Sequence, residues 1–320
     1  MKLVVLDGYT AVSNDLSLDC LNELCDDVKI YERTPNDKII ERIGDADCII
    51  INKTPLPAET LSKCKNLKYI GLFATGYNVV DIEYCKKNNI VVSNAPSYSS
   101  NAVAQLVFSY ILHFYSMPSQ HNDRVHNGEW QNCKDFAFYD SRISELYGKT
   151  LGIIGFGSIG KKVAQIAAAF DMNILVYSRT VYPEFESDNL KFTSLETLLK
   201  TSDIVTLHCP LFKETENLID EKALALMKPT ALLINTSRGP VIDEYAVAKA
   251  LNNNTLGYAA VDVVSKEPIS SDNPLLSAKN CLITPHIAWA CKESRKRLIG
   301  IVYDNLKAFL NGNPKNNVAL

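Results

Sequence analysis

Short apolar runs alternate with amphipathic stretches along the first hundred residues. LVVL (3–6), VKIY (28–31), DCIII (47–51), KYIGLF (68–73) and IVVS (90–93) have the length and β-branched content of strands. Between them the spacing predicts helices near 15–25, 36–43, 57–64 and 81–88, with Pro57 at a first turn and Asp81 as an N-cap. Strands buried on both faces read as continuous apolar runs, so the alternation predicts a parallel sheet covered by helices on both sides.

The pattern breaks near Tyr98. SSNAVAQLVFSYILHFY reads as one long helix capped at Ser99 or Ser100, apolar on most of its surface and therefore buried on most faces. Residues 117–148 look irregular and aromatic (Trp130, Phe136, Phe138, Tyr139), as an arm that wraps a neighbouring subunit would. A second alternation starts at Lys149. Strands are expected at 151–155, 173–177, 204–208, 231–235, 258–262 and 281–284, and helices near 158–170, 194–201, 220–228 and 243–252. The tail 289–312 is helical again. The fold class is therefore α/β with two doubly wound parallel-sheet domains. The first, with five strands and no glycine-rich turn, is a flavodoxin-like layer, and the second is a Rossmann-type cofactor domain.

The second module opens with GIIGFGSIGKKVAQIAAAF, which holds G-x-G-x-x-G as Gly155, Gly157 and Gly160. The triplet alone is weak. Here a strand precedes it, a helix with Val163, Ile166, Ala167 and Phe170 on one face follows, and a second strand comes at the right distance. Gly155 allows the tight turn, Gly157 lets a pyrophosphate approach the backbone, and Gly160 permits close helix–strand packing. The helix start, with Ser158 and Ile159, offers N–H groups to the phosphates. An acid at the end of the second strand would bind the ribose 2′-hydroxyl of NAD. This chain has Ser178, Arg179 and Thr180 instead, a set that can pair with a 2′-phosphate. The expectation is NADP(H) preferred, with NAD(H) still accepted.

Composition narrows the class. The chain has 320 residues, 47% hydrophobic and 22% charged, with a net charge of −3, which favours neither nucleic acid nor an anionic membrane as partner. The start, MKLVVLDG, is too short for a signal-peptide core, and no apolar run approaches the roughly 20 residues needed to span a bilayer. Nine scattered cysteines without a C-x-x-C pair suit a cytoplasmic, reducing location. His113, His121, His126 and His208 show no metal spacing, so no metal is expected.

Three polar motifs follow predicted strands: NTSRGPVIDE with Arg238, VDVVSKEP with Asp262 and Glu267, and TPHIAWA with His286. Open α/β sheets bind ligands at these strand ends. Hydride transfer to a 2-oxo acid needs an arginine fork for the carboxylate, a histidine to protonate the carbonyl oxygen, and a carboxylate behind the histidine. Arg238, His286 and Glu267 fit those roles. Asp262 and His208 are expected on the cofactor side.

GFGSIG, HCPLFKET, NTSRGPVIDE, DVVSKEP and TPHIAWA together resemble the D-isomer-specific 2-hydroxyacid dehydrogenases over nearly the whole chain. NKTPLP, KYIGLFATGYNVVD, NAPSYSSNAVAQ and HIAWA resemble the glycerate dehydrogenase or hydroxypyruvate reductase branch. The resemblance implies Arg238, Glu267 and His286 as the catalytic trio, and substrate contacts from Lys53, Thr75, Gly76, Arg238 and Trp289. It places Pro210, Thr215, Thr236, Ser237, Asp262, His286 and Ala288 at the cofactor. It also implies a substrate domain of residues 1–98 and 289–320, a dinucleotide-binding domain of residues 99–288, a site in the cleft between them, hinge closure and a homodimer. The expected activity is NAD(P)H-dependent reduction of hydroxypyruvate and glyoxylate. The alternatives are a dinucleotide-sensing corepressor-like protein, or the same chemistry on another 2-oxo acid. Ser178 departs from an NAD-binding pattern, and Tyr77 is bulkier than some members carry.

Overall fold

Five of the apolar runs form parallel strands: β1 (Lys2–Val5), β2 (Asp27–Ile30), β3 (Cys48–Ile51), β4 (Tyr69–Leu72) and β5 (Val91–Ser93), in the order β2-β1-β3-β4-β5. This flavodoxin-like order appears in a computed structural model that describes residues 1–320. Alternation sends Val4, Ile49, Ile51 and Ile70 to one apolar cluster, and Leu3, Val5, Ile50 and Tyr69 to another on the opposite face. Short helices connect the strands: α1 (Tyr9–Val12), α2 (Ile39–Ile43), α3 (Ala58–Leu61) and α4 (Ile82–Lys87). Asp81 caps α4 by accepting the Tyr84 N–H at 2.8 Å. The helix expected at 15–25 is not there: only a 3-10 stretch, Asp19–Glu23, forms. Leu18, Leu21 and Cys25 are buried at helix-like spacing, but Ser17 accepts the Asp19 N–H at 3.0 Å. Such local side-chain bonds compete with the helix ladder.

The second unit begins with the long helix α5 (Ser100–Tyr115), followed by α6 (Pro118–His126). The sequence hides α6 inside its irregular stretch because none of its residues is buried, so no apolar period marks it. Seven parallel strands follow, β6 (Thr150–Ile154), β7 (Asn173–Tyr177), β8 (Leu190–Phe192), β9 (Ile204–Leu207), β10 (Leu232–Asn235), β11 (Tyr258–Val261) and β12 (Cys281–Ile283). Their order is β12-β11-β10-β9-β6-β7-β8, that of a Rossmann sheet. The three-residue edge strand β8 was not expected. Helices α7 (Ser158–Ala169), α8 (Leu195–Thr201), α9 (Glu221–Leu226) and α10 (Glu244–Asn252) cover the sheet. α5 and α7 pack on one face, through Val107, Ile111, Val163 and Ala167.

Two units separate along the chain, Met1–Ser99 with Trp289–Leu320 and Ser100–Ala288. The first is completed by α11 (Lys292–Leu310), which buries Leu298, Val302 and Leu306 against the β-sheet, with Phe309 stacked on Tyr69 at 4.7 Å. All nine cysteines are free, and burial pushes the Cys48 and Cys85 thiols up to about 12, which leaves them unreactive. No helix is long and apolar enough to cross a membrane.

Asn305 ties α11 to the sheet and to the chain end. It is 1% exposed, donates to the Asn94 carbonyl at 2.8 Å and accepts from Asn316 at 2.8 Å. Asn305→Ala leaves both partners unpaired, so we expect a loss of about 2–3 kcal/mol, read from denaturant midpoints at unchanged slope.

Candidate active site

The ends of six strands lie in one row. Tyr177 pairs with Ile154, Ile154 with Leu207, Leu207 with Asn235, Asn235 with Val261, and Val261 with Ile283. The residues that leave this row are Ser178, Gly155, His208, Thr236, Asp262 and Thr284. Parallel strands about 4.8 Å apart thus deliver them to one edge of the sheet.

The backbone there fits a dinucleotide. Gly155 has φ +96°, and a Cβ on it would stand 2.7 Å from the Cys209 nitrogen. A Cβ on Gly160 would stand 2.2 Å from the Gly155 carbonyl oxygen, whereas one on Gly157 would meet nothing within 4 Å. The turn is closed around Gly155 and Gly160 and open in front of Gly157, at the N-terminus of the twelve-residue helix that begins Ser158-Ile159. Two buried polar atoms on this edge of the sheet have no partner, His208 Nδ1 and Thr236 Oγ1. His208 Nε2 meets the Thr206 hydroxyl at 3.0 Å, and burial pushes its imidazole down to about 3, so it stays neutral. Ser178 is half-buried, and Arg179 and Thr180 are exposed after β7. Pro210 is exposed, and Thr215 is bonded to its carbonyl at 2.7 Å.

The three motif residues leave adjacent strands. His286 Nδ1 lies 2.7 Å from Glu267 Oε2, and both side chains are partly exposed. His286 itself has φ +55°, an uncommon conformation for a residue with a side chain. Asp262 holds it there. Its carboxylate, 1% exposed, accepts the Thr284 hydroxyl and the N–H groups of Ile287 and Ala288, both at 2.8 Å. Its carbonyl accepts the His286 N–H at 2.8 Å. Burial pushes the Asp262 carboxyl above its usual range, against the pull of these donors. The Arg238 turn is pinned by Asn235, which donates to the Arg238 carbonyl at 2.9 Å and accepts from the Ser237 N–H and hydroxyl. One guanidinium N–H of Arg238 donates to the Ser237 carbonyl at 2.7 Å, leaving donors for a ligand.

In the first unit, Asp7 holds the loop of Lys53 by accepting the N–H groups of Asn52 and Lys53 at 2.6 Å and of Thr54 at 2.9 Å. The Thr75–Gly76 turn is fixed from both sides: the Thr75 hydroxyl donates to the Ala95 carbonyl at 2.7 Å, and Asn94 donates to the Thr75 carbonyl at 2.7 Å. Trp289 packs edge-on against Tyr98, 6.5 Å between ring centres. No cluster of His, Cys, Asp and Glu side chains could hold a metal.

The model of the D-isomer-specific 2-hydroxyacid dehydrogenase NAD-binding domain matches residues 108–288. A hydroxypyruvate reductase of Blautia hydrogenotrophica is 45% identical over 99% of both chains. A glycerate dehydrogenase of Methylorubrum extorquens is 40% identical over 91% of both. The chain belongs to the D-isomer-specific 2-hydroxyacid dehydrogenases. A solved structure of similar fold, an acyclic imino acid reductase (Bsp5) in complex with NADPH and D-Arg, is 31% identical, with a TM-score of 0.86 over 99% of this chain and 100% of that one.

Sequence reading of this dehydrogenase missed three supports. Glu244 looks like an ordinary first-turn acid of α10, yet it is buried and accepts the Ser265 N–H at 2.6 Å and the Asn273 amide at 2.9 Å. It thereby holds the loop that carries Glu267, a tertiary role with no local signal. Asp262 was expected at the cofactor alone, and the structure also commits both its oxygens to the His286 loop. Gly239, beside Arg238, is the third: a Cβ there would stand 2.0 Å from the Val264 carbonyl carbon. The Arg238 turn therefore lies directly on the backbone that leads to Glu267. Gly239→Ala must push these loops apart, so we expect turnover to fall roughly 10- to 100-fold. Gly300→Ala, where a Cβ meets nothing within 4 Å, should leave steady-state turnover unchanged.

Proposed function

We propose that this dehydrogenase reduces hydroxypyruvate, and glyoxylate alongside it, to D-glycerate and glycolate, with NADPH preferred over NADH. The observation that carries the reading is the His286–Glu267 pair at 2.7 Å on the C-terminal edge of a dinucleotide-type sheet. Full-length similarity to a hydroxypyruvate reductase supports the substrate class.

The bound cofactor supplies the hydride to the carbonyl carbon. Glu267 accepts the Nδ1 proton of His286 and stabilises the imidazolium, which leaves the Nε2 proton for the carbonyl oxygen. In the oxidative direction Nε2 takes that proton back. Arg238 holds the substrate carboxylate with its remaining donors and polarises the carbonyl. Thr75, Gly76, Lys53 and Trp289 are the substrate contacts proposed for the first unit. A protein that only senses dinucleotides has no need of this proton-transfer pair.

We also propose a cytoplasmic homodimer. Nine free thiols suit a reducing compartment. The arm after α6 exposes Phe136 at 93%, Tyr139 and Tyr147 at 72% and Trp130 at 53%, apolar surface that a second copy would cover. Sedimentation should then give twice the 35.6 kDa chain mass, and a monomer at micromolar concentration would reject the dimer.

His286→Ala should lower kcat by about 10² to 10⁴ while dinucleotide binding persists. The decisive assay follows oxidation of NADPH and NADH separately with hydroxypyruvate, glyoxylate and pyruvate. Full activity in the variant, or no turnover on any of the three acids, would overturn the assignment.

A further inference from the structure

Arg179 and Phe212 come from different connections of the cofactor-binding unit. Arg179 lies two residues past β7, and Phe212 sits in the loop between β9 and α9. They meet: the Arg179 guanidinium carbon is 5.2 Å from the Phe212 ring centre. We infer that Phe212 is a positioning residue for the cofactor, fixing Arg179 to receive the adenosine 2′-phosphate. The inference rests on the proposed preference for NADPH.

Phe212 is held in place by its backbone. Its N–H donates to the Thr215 hydroxyl at 2.8 Å, that hydroxyl donates to the Pro210 carbonyl at 2.7 Å, and the Phe212 carbonyl accepts the N–H groups of Thr215 and Glu216 at 3.1 and 3.0 Å. The loop is thus a closed turn that presents an aromatic ring, 46% exposed, to its neighbour. A guanidinium over a ring uses its face for the contact and keeps its N–H edge for a phosphate, so the two interactions do not compete. An exposed arginine without such a platform must be ordered when the ligand binds, at an entropic cost. The ring sets that order beforehand. Its contribution falls on the 2′-phosphate alone, because the phosphate is the group that Arg179 pairs with.

The test is calorimetric titration of the full-length protein with 2′,5′-ADP and with 5′-AMP, which differ by that phosphate. Phe212→Leu should weaken 2′,5′-ADP by about two- to fivefold and leave 5′-AMP unchanged, as expected for an exposed cation–π contact. Phe212→Tyr should restore the wild-type ratio, and Phe212→Leu should add nothing in an Arg179→Ala background. Equal weakening of both ligands would overturn the inference, since the ring would then be touching the adenine. If Arg179→Ala removes the preference for 2′,5′-ADP and Phe212→Leu leaves it intact, the positioning role fails while the NADPH reading stands. If Arg179→Ala leaves the preference intact, the NADPH reading of this arginine fails first.

Discussion

The buried carboxylate of Asp262 decides where His286 can be. A left-handed conformation on a non-glycine residue costs on the order of 1–3 kcal/mol, and it persists only where its surroundings over-determine it. Here the over-determination is visible. Both carboxylate oxygens and the carbonyl of Asp262 accept donors from Thr284, His286, Ile287 and Ala288, every residue of 284–288 except Pro285, which has no N–H to give. A buried carboxylate is expensive unless it is bonded, and this one is bonded to the segment it must hold. The imidazole then reaches Glu267 from a fixed backbone rather than from a mobile loop.

Glu267 is held in turn. Its loop is bonded by Glu244 from α10 and lies against the backbone at Gly239, so the carboxylate behind the histidine and the turn that carries the arginine share one wall. The three side chains proposed for catalysis, which follow three different strands, are thereby referred to the same small region of backbone. Strand register does the coarse work, aligning their departure points across β10, β11 and β12. Buried carboxylates and one obligatory glycine do the fine work. This division suits a reaction whose rate depends on sub-ångström placement.

Much of the architecture could be read in the sequence because parallel strands buried on both faces announce themselves as apolar runs, and because Gly155, Gly157 and Gly160 stand between such a run and an amphipathic helix. The pairing of His286 with Glu267 was legible for a chemical reason, since an acid–base histidine needs a carboxylate behind it. What escaped was whatever lacked an apolar period or depended on distant partners. α6 has no buried residue, and β8 is a three-residue edge. The stretch 15–25 kept helical spacing, but Ser17 bonds the Asp19 N–H locally, and Asp15 and Glu23 bond Arg295 and Tyr303 of α11. Glu244 and Gly239 gave no warning, because their neighbours in space, Ser265 and Val264, lie more than twenty residues away in sequence.

Two histidines stand on the same edge of the sheet with different partners. His208 has one nitrogen on the Thr206 hydroxyl and the other buried without a partner, and burial favours its neutral form. His286 has a carboxylate at hydrogen-bond distance, with Nδ1 2.7 Å from Glu267 Oε2. A charged imidazole at the His208 position, beside Gly155, would carry a buried charge with no carboxylate to pair it. Of the two, His286 is the one proposed as the acid, because it alone has a carboxylate partner behind the ring.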